Sequence, residues 1–230
     1  MHFGALHMLR LLQIADSALP VGAAAHSFGL ETLVAEQQLT VATIAETLSA
    51  LLSESGTIEA IACRQAYQLG ATPGSVGWAE RWALLNRRLS ALKPARESRS
   101  ASTAMGRRLL RQVADLEVSP AVMAARAAGE AHYSAAFGVC CGALETGEDA
   151  AVLALLEQTA AGLVSACQRL MPLGQSGGQQ IRWWLKPALA DTAARSSTLD
   201  WDDPALSAFT PLLELGSMRH PSLATRLFIS

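Results

Sequence analysis

From residue 40 onward, apolar residues recur every three or four positions along the chain. Ile44, Leu48, Leu51, Leu52, Ile58, Ile61, Ala62 and Leu69 keep that spacing between Thr40 and Leu69, which predicts one long amphipathic helix. Thr43 and Glu46 are placed for a capping box at its start. Gly70 is placed to end it, before a Thr72-Pro73-Gly74-Ser75 turn. Trp78, Trp82, Leu85 and Leu89 form the next stripe, over Val76 to Leu92, which Pro94 stops. A third helix is expected over Ala95 to Leu116. Ser119-Pro120 then opens an Ala-rich segment that Gly129 breaks, and Ala131 to Thr146 is apolar on every side, which places it at the centre of a bundle before Gly147 ends it. Val152, Leu153, Leu156, Ala160, Leu163, Val164 and Cys167 restore the helical period over Asp149 to Leu170, with Asp149 set to cap. Beyond Pro172 and Gly174 a shorter helix is expected over Gln179 to Leu189, then an acidic link from Asp191 to Pro204 and a weakly periodic tail from Ala205 to Ser230. No alternating strand pattern, repeat or Gly/Ser linker interrupts this. The pattern predicts an all-α fold: a single-domain helical bundle over residues 1–230, of about eight to ten helices with short loops.

Composition narrows the function more than the fold. Of the 230 residues, 50% are hydrophobic, too many for a disordered tail, and only 5% are aromatic, which leaves little for strands. A formal charge of -2 gives no reason to expect nucleic acid or an anionic membrane surface as partner. The longest uncharged stretches, such as Ser17 to Leu30, Gln65 to Ala79 and Ala131 to Leu144, contain Gly or Pro and fall short of the roughly 20 apolar residues a transmembrane helix needs. The N-terminus lacks the pattern of a secretory signal, so the expected location is cytoplasmic. Cys63, Cys140, Cys141 and Cys167 form no Cys-x-x-Cys pair and read as buried thiols in a reducing compartment.

Gly174-Gln175-Ser176-Gly177-Gly178 matches Gly-x-Ser-x-Gly, and Asp200 and His220 follow in the order of an α/β-hydrolase triad. That motif needs a strand turning sharply into a helix, whereas Gly162 to Met171 read as helix. The other reading is a tight inter-helix connection whose exposed Gln175 and Ser176 bond another protein. No phosphate-binding loop or His-Glu-x-x-His string is present. His2, His7, His26, His132 and His220 never stand at i, i+3 or i+4 to one another, so no metal site, cofactor or catalytic residue is assigned. His132 reads as a hydrogen-bonded core residue. A serine hydrolase using Ser176 and a helical nickel carrier using His26 or His220 stand as the alternatives. Half of the 18 Lys and Arg residues lie between Arg81 and Arg111, a strip that suits a solvated helix face or a protein-docking surface.

Two segments stand out. Leu19 to Glu31 sets a Pro-Val-Gly turn before a helix capped near Ser27. Near the other end, Met218-Arg219-His220-Pro221 and Arg226-Leu227-Phe228 alternate cations with apolar anchors, a composition suited to an arm that orders on a partner.

Taken with Leu11-Leu12-Gln13, Ser17-Ala18-Leu19-Pro20-Val21-Gly22, His26-Ser27-Phe28-Gly29-Leu30-Glu31, Arg96-Glu97-x-Arg99-x-Ala101-Ser102, Met105-Gly106-Arg107, Phe137-Gly138, Leu163-Val164-Ser165-Ala166, Pro172-Leu173-Gly174-Gln175 and Pro211-Leu212-Leu213-Glu214, these strings resemble the UreF family of urease accessory proteins, in order and over nearly the whole chain. The resemblance implies an all-helical homodimer with no enzymatic activity of its own. It implies an adaptor, and a GTPase regulator, between the nickel metallochaperone UreG and the accessory protein UreD/UreH, in a complex that delivers nickel to apo-urease. The implied partner-binding residues are His26, Ser27, Glu31, Arg96, Glu97, Arg99, Gln175, Ser217, Met218, Arg219, His220 and Arg226. Residues 205–230 would form the arm that docks on UreD/UreH. The chain departs from the family pattern at Ala23-Ala24-Ala25, where Gly-Phe-Ser is usual, at Ala224, where tyrosine is common, and at Ile229, where arginine is common.

Overall fold

The structure is a computed structural model describing residues 4–201, 203 and 210–229. Among the described residues it contains eleven α-helices and no strand. Helices α1 (Ala5–Ile14) and α2 (Leu30–Ala35) are followed by the long α3 (Ile44–Ala71), then α4 (Trp78–Ala91), α5 (Arg96–Leu116), α6 (Pro120–Ala127), α7 (Tyr133–Ala143), α8 (Glu148–Leu170), α9 (Gln175–Trp184), α10 (Lys186–Ser196) and α11 (Pro211–Arg219). Single 3-10 turns cover Ala23–Ala25 and His220–Ser222.

The helix that is apolar on every side takes the centre. Nine of its eleven residues, from Ser134 to Gly142, are buried, and α3, α5, α6 and α8 surround it. Glycine sets how closely α3 and α7 approach. A β-carbon on Gly138 would lie 2.2 Å from the Cys63 carbonyl oxygen, and one on Gly142 would lie 2.1 Å from that of Tyr67. Gly70 plays the same part from the α3 side, 2.3 Å from the Val139 carbonyl oxygen by the same construction. It is also the second-last residue of α3, which ends at Ala71, one residue from the expected stop. All four cysteines are buried free thiols, as expected, and burial raises the pKa of each.

Local signals fare worse at helix ends. The Thr43–Glu46 capping box does not form; the Thr43 side chain bonds back to Thr40. Asp149 sits in the first turn of α8, after an N-cap at Gly147, and pairs with Arg64 at 2.8 Å. The helix expected over Gln179 to Leu189 is two helices. Gln175 to Gly178 already form the first turn of α9, and Asp191 belongs to α10. By length and composition alone α8 could cross a membrane, but half of that window is buried inside the bundle.

Candidate functional site

The two segments that stand out in the sequence meet in space. The backbone of α11 lies directly on the start of α2. A β-carbon on Gly29 would come within 2.4 Å of the Leu213 carbonyl oxygen, and one on Gly216 within 2.7 Å of the Gly29 carbonyl oxygen. Gly29 also holds φ +87°, a left-handed conformation that suits glycine. Thr32 donates its hydroxyl to the Gly216 carbonyl at 2.8 Å. Ser27, expected as the helix cap, does not cap; Gly29 takes that position and Ser27 is fully buried.

Glu31 organises the chain end. Its Oε1 accepts the Leu227 N–H at 2.6 Å, and its Oε2 accepts the Phe228 N–H at 3.2 Å and faces His220 Nε2 at 2.7 Å. Glu31 is 5% exposed and His220 0%. Burial pushes the Glu31 carboxyl up, but the bonds from Leu227, His220 and Phe228 together outweigh it and hold the group below its ordinary value. Two further contacts pin the arm. Arg169, at the end of α8, donates to the Ala24 carbonyl at 2.7 Å and to the Leu227 carbonyl at 3.5 Å, with its guanidinium 4.1 Å from the Phe228 ring centroid. The Ile229 N–H bonds the Ala25 carbonyl at 2.8 Å. Both alanines act here through carbonyl oxygens, so the Ala23-Ala24-Ala25 departure leaves this docking intact. Ile229 likewise bonds through its backbone and leaves its side chain 72% exposed.

The arm is thus folded onto the chain itself, with residues 204–209 outside the described residues. This sorts the implied partner-binding residues. Ser27, Glu31, Ser217 and His220 are buried, and Glu31 and His220 position the arm; Arg96, Gln175, Met218, Arg219 and Arg226 are exposed; His26, Glu97 and Arg99 are half-buried. Arg219 pairs with Glu36 at 3.0 Å. Arg99 folds back onto the Lys93 and Pro94 carbonyls, and Glu214 of α11 accepts the Ala95 N–H at 2.7 Å at the head of α5. The anchoring role of Arg169 had no local sequence signal, and although Glu214 belongs to one of the family-like strings, its partner at Ala95 lies far away in the chain.

Beneath this contact lies a cavity of about 170 Å³, lined in part by His26, Phe28, Met105 and Leu155 and by the paired Glu59 and Lys93. Ser102 also lines it and contacts His132 Nδ1 at 3.0 Å, while His132 Nε2 meets Ser90 at 2.8 Å. His132 is fully buried, as a core histidine should be, and burial, then Lys93, lowers its pKa to about 4. No group of three or more His, Cys, Asp or Glu residues suited to a metal occurs among the described residues.

The hydrolase alternative fails on geometry. Ser176, Gly177 and Gly178 are helical residues of α9, so no strand presents the hydroxyl, and of the glycines only Gly174 lies in the connection between α8 and α9. His220 is occupied by Glu31, and Asp200 accepts from Gln65. Part of the basic strip is used within the chain: Arg81 bonds Ser75, Arg88 lies 5.8 Å from the Trp201 ring centroid, Lys93 pairs with Glu59, and Arg108 reaches the Val21 carbonyl, while Arg87, Arg96, Arg107 and Arg111 are exposed.

Comparison with known proteins agrees with this arrangement. The UreF family model matches residues 38–186. The urease accessory protein UreF of Nostoc sp. (strain PCC 7120) is 35% identical over 226 residues, covering 97% of this chain and 96% of that protein. UreF of Geobacillus kaustophilus is 35% identical over 230 residues, covering 97% and 98%. UreF of Paenarthrobacter aurescens is 34% identical over 233 residues, covering 98% and 99%. With its helical bundle and its motif-bearing ends joined at Glu31, the chain belongs to the UreF family of urease accessory proteins, which are not enzymes.

Proposed function

We propose that this chain is a homodimeric adaptor of urease maturation. In this reading it links a UreG-type GTPase to a UreD/UreH-type accessory protein in the complex that loads nickel into apo-urease, and it regulates the GTPase. Nickel is the cargo of that assembly and not a resident cofactor of this chain. The observation that carries the reading is the likeness to UreF proteins over nearly the full length, including the terminal motifs.

The docked arm says how such an adaptor would present itself. Glu31, Ser217, His220 and Phe228 hold the chain end in place from below. Above them Leu215, Met218, Leu227 and Ile229 are 46%, 46%, 63% and 72% exposed, beside the exposed cations Arg219 and Arg226. Apolar anchors bordered by Arg are the composition of a protein-binding hot spot. The outward residues would touch UreD/UreH and the buried ones would act through them.

The test is co-elution. The purified chain should show no GTPase or hydrolase turnover and should elute with UreD/UreH and UreG. Removing residues 218–230 should cost the UreD/UreH contact. Unchanged co-elution after that truncation would remove the arm from the reading.

A further inference from the structure

A second exposed apolar surface lies on α9 and the start of α3. Val41, Ala45, Leu173, Gly177, Ile181 and Trp184 line an open groove there, with Gln180 at its edge. Trp184 is 53% exposed and its neighbour Trp183 is 78% exposed, large aromatic areas for a surface that faces only water. No charged residue lines the groove. The nearby cations Arg182 and Lys186 are both taken by Glu157. An uncharged aromatic centre with a glutamine border has the anatomy of a protein interface. It lacks the Lys and Arg that a nucleic acid or an anionic lipid surface would need.

The groove also adjoins the docked arm. Gln168 of α8 contacts the Gly174 carbonyl and Gln175 Oε1 at the head of α9, while the next residue, Arg169, holds Leu227 and Phe228. The exposed arm tip and the head of α9, beside the groove residues Leu173 and Gly177, therefore meet the same end of α8 through consecutive residues. On the Val41 side, the Arg219–Glu36 pair ties α11 to the residue following α2, five positions before the groove begins.

We infer that the groove is a second docking site for the same protein that grips the arm, occupied by an uncharged apolar side chain on a helix or loop of that partner. The inference rests on the adaptor reading above and extends it: the interface is bipartite, with the cationic arm tip supplying one half and the Trp184 groove the other. Two linked contacts bind more tightly than either alone, because the second forms at high local concentration.

The experiment uses the full chain and purified UreD/UreH-type partner. V41E places a charge in the groove, and W184A removes its largest wall; both positions are exposed enough that thermal melting should match the parent. Each should weaken partner binding about tenfold or more in titration calorimetry, as loss of a hot-spot contact does. If both variants bind within twofold of the parent while removal of residues 218–230 abolishes binding, the groove inference is overturned and the adaptor reading stands. If neither the groove variants nor the truncation alters binding, both fall. If V41E instead abolishes concentration-dependent self-association of the isolated chain and spares partner binding, the occupant is a second copy and the inference is wrong.

Discussion

Replacing Glu31 by alanine removes the acceptor for three contacts at once: His220 Nε2 at 2.7 Å, Leu227 N–H at 2.6 Å and Phe228 N–H at 3.2 Å. Bonds to a charged acceptor contribute about 1.5–3 kcal/mol each, but they share one carboxylate and do not add. The better guide is the cost of leaving a buried donor without its acceptor, about 1–3 kcal/mol. Applied to arm release, that multiplies the undocked population about fivefold to a hundredfold or more. Global unfolding should respond less, since the arm is the end of the chain and the α3–α7 core does not depend on it. The assay is hydrogen exchange at the Leu227 and Phe228 amides, read beside amides of α7 in the same sample. Exchange at the arm should accelerate by the stated factor while α7 stays protected. Undiminished protection at Leu227 and Phe228 in E31A would refute the role given to this carboxylate. The pH dependence has a fixed sign. The folded carboxyl titrates below its unfolded value, so its contribution is complete above the ordinary Glu range near about 4.3 and is lost as pH falls through the lower folded value.

His132 should leave its own mark at higher pH. Its folded pKa is about 4 against 6.5 unfolded, so the unfolded state binds more protons between those values and stability should rise with pH there, by up to about 1.4 kcal/mol per unit; urea midpoints that stay flat from pH 4.5 to 6.5 would contradict it. G138A should destabilise the chain by about 1–3 kcal/mol or more, because a β-carbon 2.2 Å from the Cys63 carbonyl oxygen forces α7 off α3; a melting temperature equal to that of the parent would count against the packing described. R169A should loosen the arm tip by removing the Ala24 and Leu227 bonds and the Phe228 ring contact, visible as faster proteolysis after Arg226 with an unchanged melt. S176A, an exposed substitution in a helical first turn, should alter neither stability nor urease activation in cells; loss of activation would reopen the role of this hydroxyl.

The sequence by itself determined the helical bundle, because apolar spacing is a property of each segment alone. The stripe from Ile44 to Leu69 and the uniformly apolar stretch around Phe137 specified α3 and α7 without reference to anything distant. It also identified the two segments around Glu31 and His220 through their unusual composition and their order. Tertiary structure decided which glycines end helices and which sit between them. Gly70 stands one residue before the end of α3, and only the neighbouring carbonyl of Val139 shows that it is a packing position as well. It also decided which motif residues face outward. Ser217 and Met218 are adjacent in sequence, yet one is buried against α2 and the other exposed. The arm's attachment was out of reach of the sequence because it joins residue 31 to residues 220, 227 and 228 and depends on Arg169, which carries no pattern of its own. Local periodicity fixes the direction in which a side chain leaves its helix, whereas what it meets there depends on loop closures spanning most of the chain.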